Sequence, residues 1–429
     1  MNSFIEITGG RELSGEVQVS GSKNAALPIL MATLLTGQEC IIKNVPNLED
    51  VALTLHLLEQ LGADASYDGS TIITKTDHLT GSEASYSLVK ALRASFWVLG
   101  PLLARAGAAR VALPGGDAIG TRPVDIHLSA LSKMGADIKM KHGVVVASAP
   151  AGLRPANITF PFPSVGATHQ ILMAASLVPG VTRIKGAAKE PEVVALADFL
   201  ALLGVAIEGA GTSEIVVEGK GDLSGATYSL IGDRIEAGTY LLAIAACGGR
   251  GVVSGFVPEH LGNLLTILEQ MGAEVSVKEQ SVMLTRQSEL RAVTVQTEPF
   301  PGFATDLQAP LMAALCVANG QSIIEENIFE GRFGHVPELR RMGAKVVLRE
   351  RTAIIDGVLG LSGAPVEGGD IRGAAALVIA GLVAEGRTQI HDIVHLRRGY
   401  ELLENKFSSL GACITCRPEE VEDYQSVGC

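Results

Sequence analysis

The chain has 429 residues, 47 % of them hydrophobic but only 4 % aromatic, with 49 glycines. That is too long for one ordinary core and is a globular composition, so two domains with aliphatic interiors are expected. The formal charge of −12, from 46 acidic against 34 basic residues, argues against a nucleic-acid-binding surface but allows a few arginines focused in a cleft. Met1-Asn2-Ser3-Phe4-Ile5-Glu6 has no basic stretch leading into an apolar run, so it does not read as a signal peptide. The longest uncharged stretch, 307–324, is interrupted by Pro310, Asn319 and Gly320 and reads as a buried helix and a strand instead of a membrane span. A cytoplasmic protein is expected. Six cysteines scatter at Cys40, Cys247, Cys316, Cys413, Cys416 and Cys429. The Cys413–Cys416 pair has no second ligand pair, so reduced structural thiols are expected and no metal site.

In chain order, the first expected element is a strand before residue 24, which the pattern alone assigns to neither half. An apolar, alanine-rich helix follows near 24–35, then a β-branched strand at Ile41-Ile42 and an amphipathic helix ending in Leu61-Gly62-Ala63-Asp64. That phrase returns as Met134-Gly135-Ala136-Asp137, Leu203-Gly204-Val205-Ala206, Met271-Gly272-Ala273-Glu274, Met342-Gly343-Ala344-Lys345 and Leu410-Gly411-Ala412-Cys413. Its glycines lie 73, 69, 68, 71 and 68 residues apart, and a glycine there supplies the left-handed cap between a helix and the next strand. Further apolar helices are expected near 88–106, 164–177, 235–246, 306–318 and 371–384. A helix apolar all round must be buried on every side. The chain therefore reads as six α/β units, three to a globule, with a boundary near Leu230-Ile231-Gly232.

These buried helices begin with polar residues: Lys23-Asn24, Arg93, Ser164, Asp233-Arg234-Ile235-Glu236, Asp306 and Asp370-Ile371-Arg372. Singly, each suits a helix cap or an interdomain ion pair. Six coinciding at one position of a repeat point to a site, because helix N-termini offer free N–H groups and favour anions. If the two globules aim these tips at each other, the gap becomes an anion trap. Leu113-Pro114-Gly115-Gly116-Asp117-Ala118-Ile119-Gly120-Thr121-Arg122-Pro123 is glycine-rich but lacks a P-loop ending. It reads as a mobile lid or an ordinary surface loop.

Taken together, Gly21-Ser22-Lys23-Asn24-Ala25-Ala26-Leu27-Pro28, Leu92-Arg93-Ala94-Ser95, the 114–125 loop, Asp233-Arg234-Ile235-Glu236-Ala237-Gly238, Thr305-Asp306, Arg332-Phe333 and Arg398-Gly399-Tyr400-Glu401 resemble the UDP-N-acetylglucosamine 1-carboxyvinyltransferases. The resemblance runs in register from about Phe4 to Cys413. It implies an inside-out α/β barrel of two domains, each with three βαβαββ-like units. One domain is 22–230, with a mobile catalytic loop at 112–123; the other joins 1–21 to 231–429. It implies transfer of the enolpyruvyl group of phosphoenolpyruvate to the 3′-hydroxyl of UDP-N-acetylglucosamine, without a cofactor, at the first committed step of peptidoglycan synthesis. By the resemblance Asp306 is the base. Lys23, Arg122 and Arg398 hold the phosphate and stabilise a tetrahedral intermediate. Arg332 and Arg372 hold the carboxylate, with Asp370 the acid beside them. Asn24, Arg93, Arg122, Pro123, Val124, Asp125, Ile126, Phe162, Pro163, Ser164, Val165 and Ile328 are the UDP-sugar contacts, and Trp97 matches a family tryptophan. Oligomeric state is left open.

The chain departs from the family at Asp117, where most members carry a cysteine that fosfomycin alkylates. A carboxyl there acts as general acid only if burial raises its pKa from about 4 toward neutrality, and an active, fosfomycin-insensitive enzyme is expected. Two other readings stand beside this one. A 5-enolpyruvylshikimate-3-phosphate synthase would share the fold, but its Asn-Ala-Gly-Thr signature is replaced by Leu92-Arg93-Ala94-Ser95. A non-catalytic UDP-sugar binder would not need the full set of charged residues. His127, His335 and His395 read as packing or capping residues.

Overall fold

Helices apolar on all sides need cover on all sides, and the computed structural model, which describes residues 3–84, 86–115, 119–120 and 123–418, supplies it with strands. Among the described residues there are six four-stranded sheets. In each, one edge strand runs parallel to its neighbour and the other pairs are antiparallel. The first repeat contributes Cys40–Lys43, Asp64–Asp68 and Thr71–Lys75 to one such sheet, and its parallel edge is Thr227–Ser229, returning from far along the chain.

The two N-terminal strands pair the other way. Ser3–Thr8 lies antiparallel between Arg387–His391 and Cys413–Pro418, and Leu13–Gln18 runs parallel to Gly249–Ser254. Their alternating apolar residues Ile5, Ile7, Leu13 and Val17 are buried in a core shared with residues 235–414. A second, separate core draws only on residues 25–230. Three apolar helices pack together at the centre of the first of these cores, Arg234–Cys247, Gln308–Leu315 and Ile371–Val383. Lys23–Ala32, Leu99–Ala106 and Val165–Ser176 lie in the second.

The chain crosses between these cores twice, and the crossings lie side by side. Gly21 and Gly232 form an antiparallel bridge, with Ser22 N–H donating to the Ile231 carbonyl (2.8 Å) and Asp233 N–H to the Ser20 carbonyl (2.9 Å). A Cβ on either glycine would run into a backbone carbonyl, that of Asn44 or that of Gly255, so both must be glycine. The six repeat glycines all adopt positive φ: 102° at Gly62, 99° at Gly135, 106° at Gly204, 95° at Gly272, 98° at Gly343 and 83° at Gly411. This is the left-handed cap that their spacing predicts.

Two expected helices are broken. The 88–106 segment is a helix Tyr86–Ala91, a 3-10 turn Arg93–Val98 and a helix Leu99–Ala106. Leu92 is extended (φ −129°, ψ 110°), and Pro101 can neither donate to Trp97 nor tolerate its carbonyl in a continuous α-helix. At 306–318 a 3-10 turn, Thr305–Leu307, precedes Gln308–Leu315, with Pro310 near the helix start. Both breaks tilt a charged residue, Arg93 or Asp306, out of the buried stack toward the gap between the globules. The 307–324 stretch is a helix followed by the strand Gln321–Glu325, and among the described residues no helix is long and apolar enough to cross a membrane.

Candidate active site

The tips of these helices meet across a cleft of about 640 Å³ walled by both globules. Ser22 caps the first helix, its side chain accepting from Ala25 N–H at 3.3 Å, and this sets Lys23 at the cleft edge. Lys23 Nζ reaches Asp50 Oδ2 at 3.1 Å, and from the opposite globule Arg398 Nε donates to Asp50 Oδ1 at 2.8 Å. Asp50 is 1 % exposed. Burial alone would raise its pKa, but Lys23 and Arg398 outweigh that and hold the carboxyl below the ordinary value.

A second carboxylate is treated likewise. Arg332 Nη2 donates to Asp306 Oδ1 at 2.7 Å, and Arg372 reaches Oδ2 through Nη2 at 2.9 Å and Nε at 3.2 Å. Burial opposes the charge of Asp306, yet the two guanidinium groups win and hold its pKa well below the usual range. Arg332 lies over the Phe329 ring and Arg372 over that of Tyr400. Neighbouring geometry is set by Glu326, fully buried, whose carboxylate accepts from Thr297 Oγ1 and Ile328 N–H at 2.8 Å, Thr305 Oγ1 at 2.9 Å and Phe329 N–H at 3.0 Å. That one side chain shapes the turn presenting Ile328 and braces Thr305 beside Asp306.

Of the residues expected at the site, Lys23, Asn24, Arg93, Pro123, Val124, Ile126, Phe162, Pro163, Ser164, Val165, Asp306, Ile328, Arg332, Arg372 and Arg398 line this cleft, and so does Trp97. Asp117 and Arg122 lie outside the described residues. Asp125 opens the helix Asp125–Lys133 and is exposed, where its charge suits the helix N-terminus. Asp370 is the N-cap of Ile371–Val383; its Oδ1 accepts from Arg372 N–H at 3.0 Å and Gly373 N–H at 2.9 Å, and so orients the helix that carries Arg372.

The sequence reading missed Asp50 and Glu326, each of which resembles a surface acid on an amphipathic element; only the distant partners reveal their burial. It placed Arg234 at a helix tip but missed its partner Glu192, joined to it across the globules by two bonds of 2.9 and 3.2 Å. His127, read as packing, does line the cleft. Its Nδ1 donates to Gln170 Oε1, and burial pushes the ring down to about 4. Beside it His169 stacks edge-on against Trp97, centroids 5.0 Å apart.

The described end of the glycine-rich loop touches the far globule. Gly331 N–H donates to the Ile119 carbonyl at 3.1 Å, and Ile119 is 5 % exposed against the cleft. Among the described residues no cysteine lines this cleft. Burial pushes the thiols of Cys247 and Cys316 up to about 12, which favours their neutral form.

The family model for EPSP synthase (3-phosphoshikimate 1-carboxyvinyltransferase) matches residues 7–407. The enolpyruvyl transferase NikO from Streptomyces tendae superposes with a TM-score of 0.86 at 26 % identity, covering 98 % of this chain and 100 % of that one. EPSP synthase from Acinetobacter baumannii shares the fold at a TM-score of 0.74 and 19 % identity, over 97 % and 100 % of the two chains. The six-sheet architecture with its cation-lined cleft is thus that of the inside-out α/β barrel enolpyruvyl transferases. At higher identity stand the UDP-N-acetylglucosamine 1-carboxyvinyltransferases of Thermotoga petrophila, 50 % identical over 96 % of this chain and 98 % of the relative, and of Elusimicrobium minutum, 52 % identical over 95 % and 97 %. The chain belongs to the UDP-N-acetylglucosamine 1-carboxyvinyltransferase family.

Proposed function

We propose that this cleft moves the enolpyruvyl group of phosphoenolpyruvate onto the 3′-hydroxyl of UDP-N-acetylglucosamine and releases inorganic phosphate. The observation that carries the reading is the meeting of Lys23, Arg332, Arg372 and Arg398, from four separate segments of the chain, around two carboxylates in one gap. In the addition step the sugar oxygen bonds to C2 of phosphoenolpyruvate and a proton is added at C3. In the elimination step a proton leaves C3, the bond between C2 and the phosphate oxygen breaks, and phosphate departs. Guanidinium forks suit the carboxylate and phosphate of the intermediate, and a desolvated cleft strengthens them.

Asp306, gripped by two arginines, is a weak base as it stands. A substrate carboxylate entering between Arg332 and Arg372 would compete for those same donors and leave Asp306 less neutralised, hence more basic, beside the sugar hydroxyl. The base is thereby switched on by the substrate it serves. Lys23 and Arg398 take the phosphate, reinforced by Arg122. Asp117 supplies the proton to C3 from the 112–123 loop. Helix tips and the Phe162–Val165 segment hold the UDP-sugar, and Asp370 acts through Arg372. The reaction takes place in the cytoplasm. The two cores and the paired glycine crossings support a division into domains 22–230 and 1–21 with 231–429.

The test is phosphate release from phosphoenolpyruvate, measured with and without UDP-N-acetylglucosamine. Release that depends on the sugar nucleotide supports the reading; binding of the sugar nucleotide without release would instead identify a non-catalytic binder. Shikimate 3-phosphate in place of the sugar nucleotide should release nothing.

A further inference from the structure

The Arg398-Gly399-Tyr400-Glu401 run contributes more than one contact between the globules. Arg398 reaches Asp50 from the helix Val394–Gly399. Three residues on, Glu401 Oε1 accepts the backbone N–H of Asn47 in the other globule at 2.8 Å, and Ser20 Oγ donates to its Oε2. Ser20 belongs to the crossing itself. Its N–H donates to Glu236 Oε2 at 2.8 Å, and Lys406 Nζ links Ser20 Oγ to Glu236 Oε1 with two bonds of 2.6 Å. One carboxylate therefore ties together the crossing, the first globule and the segment that carries Arg398.

The backbone around it is held in an uncommon state. Leu402 sits in the left-handed region (φ 48°, ψ 39°) and is 59 % exposed, and Asp392, ahead of the helix Val394–Gly399, has φ 51°. Non-glycine residues adopt that region at a cost and keep it only where surrounding contacts impose it. Leu402 has little burial to impose it, whereas Glu401 is anchored at both oxygens. Asn47 and Asp50 flank the start of the helix Glu49–Gln60, so the Glu401 and Arg398 contacts grip the same corner of the first globule.

We propose that Glu401 is a positioning residue, which sets Arg398 on Asp50 as the two globules meet and so completes the phosphate side of the cleft. The inference rests on the reading of Arg398 as a phosphate-binding group. A carboxylate is required because it accepts a backbone N–H and a hydroxyl at once, within the field of Lys406. When the globules part, the Asn47 contact and the Asp50 contact are lost together, so Arg398 is aligned only when the cleft is assembled.

The experiment is a double-mutant cycle of Glu401→Ala and Arg398→Lys in the full chain, following phosphate release. Glu401→Ala should lower kcat roughly ten- to hundredfold, the scale expected when a reacting group is displaced by about an ångström. KM for phosphoenolpyruvate should rise, while KM for UDP-N-acetylglucosamine stays within about twofold and the thermal midpoint within a few degrees. In the Arg398→Lys background the same change should cost little, because the group it positions is already altered. Losses that multiply independently, a rise in both KM values alike, or unaltered kinetics would overturn the proposal. If Glu401→Ala does not fold, Glu401→Gln serves in the same cycle. It keeps one acceptor but turns a donor toward Ser20, and an intermediate loss is expected. A wild-type chain that releases no phosphate would instead remove the functional reading, before Glu401 is reached.

Discussion

Asp50 holds two cations that arrive from different globules, and its replacement is correspondingly informative. Asp50→Asn removes the buried carboxylate that Lys23 and Arg398 share, and a buried ion pair that loses one partner costs about 3–5 kcal/mol. Activity should fall and the midpoint of chemical denaturation with it; unchanged stability would show that the pair is formed only transiently. The buried imidazoles make a pH prediction of definite sign. His127, His169 and His335 are each pushed down to about 4 by burial, whereas an unfolded chain titrates them near 6.5. Between those values the unfolded state takes up protons that the folded state refuses. The share of stability that these histidines control is therefore complete above about pH 6.5, falls as pH drops toward 4, and changes no further below. A His127→Gln, His169→Gln double variant should flatten that slope in urea titrations from pH 7 to 4. At residue 117, exposure to fosfomycin should leave the wild type active and inactivate Asp117→Cys. Loss of activity in both would remove the role of the aspartate in escaping alkylation.

Elements matter here chiefly through their ends. Four of the buried helices deliver their first residue, Lys23, Val165, Arg234 or Ile371, to the cleft, and at the other two the preceding 3-10 turn delivers Arg93 or Asp306. The loop between Ala108–Ala112 and Asp125–Lys133 meets the other globule through Ile119 and Gly120. A Cβ on Gly331 would lie 2.9 Å from both Gly120 N and Ile119 C, closer than such atoms approach. Gly331→Ala should therefore detach this contact. Protease should nick the 112–123 segment faster, and kcat should drop roughly ten- to hundredfold with the UDP-sugar KM little changed. Equal cleavage rates in variant and wild type would exclude a role for the contact in docking the loop.

At the scale of the whole molecule, the two globules are joined by charges that are buried only because both halves are present. Glu192 (3 % exposed) and Arg234 (7 %) form one such pair. Glu192→Ala should cost about 3–5 kcal/mol, and adding Arg234→Leu should recover part of it, since the unpaired guanidinium, not the absent bond, carries the penalty. A double variant no more stable than the single would contradict this. The sequence by itself determined the six-fold repeat, the six capping glycines, the buried helices and the polar residues at their tips, because periodicity and local backbone demands are written in neighbouring residues; the other expected cleft residues came from the family resemblance. It could not determine which sheet Ser3–Thr8 completes, that Asp370 turns back to cap its own helix, or that Asp50, Glu192 and Glu401 are gripped from the other globule. The Asp370 cap is local, but the others depend on partners as far apart in the chain as Ser3 and Pro418. An acid on an amphipathic helix has the same local signature whether water or a guanidinium faces it, and only the tertiary structure supplies the difference in dielectric and distance that makes it part of a site.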